Sequence, residues 1–92
     1  MDIIIEGVLI HSPKNIEKFQ IKLDQSNYLI VKEKLIHERN KIVVYFKELK
    51  NQGIIKSNHR PKNKKIQKHL DELVILKKKL KNSIEKTDMI YN

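Results

Sequence analysis

The chain is 92 residues long with 39% hydrophobic residues, which supplies one modest core and excludes two independent ones. It holds 20 Lys/Arg against 11 Asp/Glu, a net charge of +9 that favours a polyanionic partner over a cationic one. There is no cysteine, so a disulfide framework, a zinc ribbon and a thiol nucleophile are all excluded.

Residues 3–10 (IIIEGVLI) are β-branched and apolar around Gly7, the composition of a buried strand bent at a glycine. The opening lacks the basic lead and apolar length of a signal peptide, and no stretch is apolar enough to cross a membrane, so a cytoplasmic or organellar-matrix protein is expected. Residues 12–15 (SPKN) read as a loop. Over residues 18–24 Phe19, Ile21 and Leu23 alternate with Lys18, Gln20 and Lys22, the period of a half-buried strand with Phe19 on its core face. Residues 24–27 (DQSN) suit a hairpin loop, and Tyr28 to Val31 resume a β-favouring run.

Residues 42–46 (IVVYF) form the strongest β run in the chain, followed by a turn at residues 50–53 and a short last strand at Ile54 and Ile55. The expected fold is therefore α+β: a small five-stranded antiparallel OB-like β-barrel over residues 1–57, then a basic linker and amphipathic helix over residues 58–92, packed as one unit with the barrel or on a partner. An alternative stays open. Tyr28, Val31, Leu35, Ile42 and Leu49 also recur at helical spacing with Gly53 as a C-cap, which would give a mostly α three-helix bundle.

Ile66, Leu70, Leu73, Leu80 and Ile84 fall at spacings of three, four or seven and predict a helix over residues 62–86 whose stripe docks on the barrel or on a protein partner. Ahead of it, Arg60, Lys62, Lys64, Lys65 and Lys68 crowd into a stretch without acids, a density suited to phosphates. On a barrel of this kind Lys18, Lys22 and Lys47 would add phosphate contacts. Tyr45, facing outward if Ile42, Val44 and Phe46 face in, would stack on a base.

The four histidines have no compact ligand spacing, the acids are scattered, and two glycines cannot make a phosphate loop. No metal site, cofactor or catalytic centre is expected. Lys77, Lys78 and Lys79 spread around a helix, so at most two serve one surface.

Residues 3–31, with Glu6-Gly7 in the first strand and Phe19 to Asp24 in an alternating second one, resemble the first half of bacterial and plastid translation initiation factor 1. Residues 41–46 and Gly53 to Lys56 resemble that family's last two strands. Residues 32–40 carry none of the glycines of the family's corresponding loop. The resemblance implies a five-stranded barrel that binds RNA and works on the ribosome. The function expected is thus that of a small basic RNA-binding, translation- or ribosome-associated protein. The alternatives are a non-enzymatic protein-binding module, such as a phage-type inhibitor of a nucleic-acid enzyme, and a structural subunit of a ribonucleoprotein.

Overall fold

A computed structural model of the chain describes residues 3–55 and 64–91. The elements run β1 (Ile3–Ser12), β2 (Asn15–Leu23), α1 (Tyr28–Asn51) and α2 (Lys64–Tyr91). The five-stranded barrel is not formed. Among the described residues the sheet is a single antiparallel pair, and the segments expected as strands at Tyr28 to Val31 and Ile42 to Phe46 both lie inside α1. The three-helix bundle fails as well, because the N-terminal third is a β-hairpin.

β1 and β2 pair from Ile3 opposite Leu23 to Ile10 opposite Ile16, with an irregularity before the turn at Pro13-Lys14. Gly7 sits opposite Phe19, and a Cβ there would stand 2.8 Å from the Phe19 ring. The missing side chain lets Phe19 fold across the ribbon. Ile5 and Gly7 point to one face and Val8 and Ile10 to the other, yet all four are buried. A two-stranded ribbon twists strongly, and this one rotates between Ile5 and Val8 so that opposite faces of β1 meet the helices in turn. Phe19, expected in the core beside Ile21 and Leu23, lies where the ribbon has turned away and is 45% exposed.

The turn into α1 is built on Asp24, whose Oδ1 accepts from Ser26 N–H at 2.8 Å, Ser26 Oγ–H at 2.5 Å and Asn27 N–H at 2.9 Å. Asn27 returns its side-chain oxygen to Asp24 N–H and its amide to the Lys22 carbonyl. In α1 the buried positions are Val31, Leu35, Glu38, Ile42, Phe46 and Leu49, a helical stripe that runs through the IVVYF segment. Over 24 residues that period outweighs the β propensity of five, since burial rather than propensity supplies most helical stability. Val44, expected inside, is 51% exposed as a consequence. The helix ends at Gly53 (φ 74°), where Gly53 N–H donates to the Lys50 carbonyl and Ile54 N–H to the Leu49 carbonyl.

α2 buries Leu70, Leu73, Leu76, Leu80, Ile84 and Thr87, with Thr87 Oγ donating back to the Ser83 carbonyl at 2.9 Å. It lies antiparallel to α1: Tyr28 stacks on Tyr91 with ring centroids 4.5 Å apart, and Lys32 pairs with Asp88. One hydrophobic cluster joins β1, the end of β2, both helices and Ile55, so residues 3–55 do not hold a core separate from the C-terminal helix. No helix among the described residues is long and apolar enough to cross a membrane.

Candidate nucleic-acid interface

β1 lies on the helix pair along one side only. At its tip the Ile10 N–H donates to buried Glu38 Oε2 at 2.7 Å, and Lys41 Nζ donates to the Ile10 carbonyl and to Glu38 Oε1, both at 3.0 Å. The α1 pair thus stands in for a neighbouring strand at that edge. Glu38, Lys41 and Tyr45 mark the flank of α1 that faces the hairpin; Lys14, Ile16 and Lys18 line a hollow with His69, Glu72 and Leu76 of α2.

The opposite side of the helix pair is open and basic. From Lys32, which contacts Asp88, α1 returns to the same face at Arg39, Val43 and Lys50, at steps of seven, four and seven. From Asp88, α2 returns to that face at Lys81 and Lys77, seven and eleven residues back. Equal rise along antiparallel helices puts Arg39 level with Lys81 and Val43 level with Lys77. The result is a seam of Lys32, Arg39, Lys50, Lys77 and Lys81, about 27 Å long from Lys32 to Lys50. Asp88, the acid within it, is engaged by Lys32, and Glu85 borders it.

This seam is not the surface expected from the sequence. Lys18 and Lys22 are exposed on β2, on the hairpin side. Tyr45 is half-buried, with its ring 6.4 Å from Phe46 and 6.3 Å edge-on from His69, on the flank of α1 towards the hairpin and away from the seam. Lys47 is exposed on α1 beside the seam. Lys64, Lys65 and Lys68 are exposed in the first turns of α2, away from it, while Arg60 and Lys62 lie outside the described residues. Leu70, Leu73, Leu80 and Ile84 are buried and Ile66 packs against the same core, so the stripe read as partner-binding is consumed within the chain. Sequence reasoning missed Arg39 altogether. The signal was present in its spacing of seven from Lys32 and eleven from Lys50, and in the four-residue step from Lys77 to Lys81, but which helix faces adjoin is tertiary information.

A second concavity, of about 430 Å³, lies between the hairpin tip and α1, lined by Ile10, His11, Pro13, His37, Tyr45 and neighbours. Of its polar lining, Lys41 is engaged with Ile10 and Glu38, and His11 with Glu17 at 3.2 Å. Among the described residues no three His, Asp or Glu side chains converge as a metal site would require.

Compared with known protein families, with curated proteins and with solved structures, the chain matches none.

Proposed function

We propose that the protein binds nucleic acid, RNA in the first instance, through phosphate contacts along the hairpin-distal seam of α1 and α2. The observation that carries this reading is the convergence of Arg39, Lys77 and Lys81 from two helices onto one open face whose inner acid, Asp88, is occupied by Lys32. The global charge supports it. α1 holds six basic and three acidic residues and α2 eight and four, so the two helices carry +7 of the net +9. Arg39 supplies a planar fork for phosphate oxygens, and the lysines supply point charges along its path. With Tyr45 on the hairpin side and no aromatic ring among the seam residues, affinity would come from the backbone of the nucleic acid and discriminate little between bases.

The test is a binding titration with single-stranded and duplex RNA at several salt concentrations. Changing Arg39, Lys77 and Lys81 together to Gln should weaken binding and flatten the log–log salt slope by about 0.7 to 0.9 per lost contact. Changing Lys18 and Lys22 to Gln should leave that slope nearly unchanged. Absence of binding at low salt, or a triple variant that binds as the wild type does, overturns the proposal. The competing view of a module that docks through its C-terminal apolar stripe has no free stripe to use.

A further inference from the structure

Residues 17–20 of β2 are exposed on both faces of the ribbon, and β1 is the only strand paired with β2 among the described residues. A two-stranded ribbon standing clear of its support is marginally stable, and an uncovered strand edge is a template for another strand. The edges of this hairpin are closed at two points. Glu38 and Lys41 take both backbone groups of Ile10 on β1, and the Asn27 amide takes the Lys22 carbonyl on β2. Those contacts also fix which groups point outward. Ile10 points away from β2, so its opposite residue Ile16 points away from β1, as do Lys18, Gln20 and Lys22 at the strand's period of two. The middle of the β2 edge, Lys18 and Gln20, is left open. Above it the apolar side chains of Phe19 and Leu9 share one face, 45% and 38% exposed.

We infer that β2 pairs antiparallel with β2 of a second copy, about a two-fold axis at Phe19, joining two hairpins into a four-stranded sheet. The charge pattern along β2 is compatible with a second copy and selects the register. Centred on Phe19, Lys18 falls opposite Gln20 of the other copy, Glu17 opposite Ile21, Ile16 opposite Lys22, and Phe19 opposite itself; no like charges face each other, and the open middle of one edge meets the open middle of the other. Centring on Lys18 sets Lys18 against Lys18 and Lys14 against Lys22, and centring on Gln20 sets Lys18 against Lys22. Like charges directly opposite are destabilising, and aromatic pairs in that position are favourable. In the Phe19 register Lys18 and Gln20 exchange the hydrogen bonds their outward groups otherwise make to water, and the Phe19 and Leu9 side chains of the two copies adjoin on one face of the sheet.

Sedimentation of nuclease-treated protein across a concentration series tests this. The mass should rise from 11.0 kDa to twice that, and more readily at high salt, because salt screens the repulsion of two +9 chains. Gln20→Pro removes an outward N–H that the hairpin itself does not use, a position where an edge strand tolerates proline, and should leave a folded monomer. Phe19→Cys should cross-link under mild oxidation, since the two α-carbons of a non-hydrogen-bonded pair lie about 4.5 Å apart, within disulfide reach. Val44→Cys, on the outer face of α1, should not. The cross-link decides the matter even if the proline variant fails to fold. A chain that stays monomeric at every concentration and salt, or a dimer that neither forms the Phe19→Cys cross-link nor responds to Gln20→Pro, overturns the inference. Loss of the dimer leaves the basic seam and its RNA test untouched.

Discussion

Three single residues hold the chain's changes of direction. Glu38 is buried on α1, where it accepts the Ile10 N–H and pairs with Lys41. Glu38→Ala leaves that N–H without a partner and should cost about 1–3 kcal/mol, read as a lower urea midpoint with unchanged m-value. Gly53 ends α1 at positive φ with open space where a Cβ would stand. Gly53→Ala therefore carries only the backbone penalty and should lower stability by about 1–2 kcal/mol. At Asp24, hydrogen bonds from the Ser26 side chain, then from the Ser26 and Asn27 backbones, hold the carboxyl below its ordinary value of 3.8. A carboxyl depressed on folding stabilises the native state above its unfolded pKa, and that contribution is lost as pH falls through the folded value. Wild type and Asp24→Asn should differ in thermal midpoint near neutral pH, and the difference should shrink as pH falls through the lowered folded value.

At the scale of elements, α2 is the keel of the molecule. Its buried leucines meet α1 along one flank and β1 along the other, and Leu80 is 1% exposed. Leu80→Ala should destabilise the whole chain by about 2–5 kcal/mol in a single transition, because α1 and the hairpin share that core. Hydrogen exchange that frees the β1 and β2 amides before helical dichroism is lost would show that the hairpin and helices fold apart. The hairpin is the opposite case. Its open end and tip are anchored through Ile5, Val8 and Ile10, while the middle of β2 makes few contacts that hold it, and this concentrates exposed backbone where the second copy is inferred to bind.

The whole molecule is elongated, 47 × 20 × 18 Å, with the hairpin on one side of a helix pair and the basic seam on the other. The two proposed interactions, on opposite sides, should respond to salt with opposite sign. RNA affinity should fall steeply as salt rises, because bound phosphates release counterions, while association through β2 should strengthen as charge repulsion is screened. One salt series read by fluorescence anisotropy and by sedimentation checks both. A common sign for the two would mean that one surface serves both or that RNA bridges the copies.

The amphipathic period of residues 66–84 was legible because every position of that stripe faces the same core, and α2 follows it with Leu76 filling the interruption at Lys77. The alternation from Lys18 to Leu23 likewise marked a strand, since side chains of a ribbon alternate whatever it packs on. Charge excess and the absence of cysteine are properties of composition and need no fold. Residues 28–51 were different. A run such as IVVYF fits a strand or a helix locally, and what chose the helix was the long-range burial of Val31, Leu35, Ile42, Phe46 and Leu49 against α2 and β1, a free energy no short window contains. Without that choice Tyr45 stands outside and Val44 inside; with it they exchange places. The seam was hidden for the same reason: Arg39 and Lys81 are 42 positions apart in the chain, and only antiparallel packing, registered by Lys32 on Asp88 and Tyr28 on Tyr91, sets them level on one face.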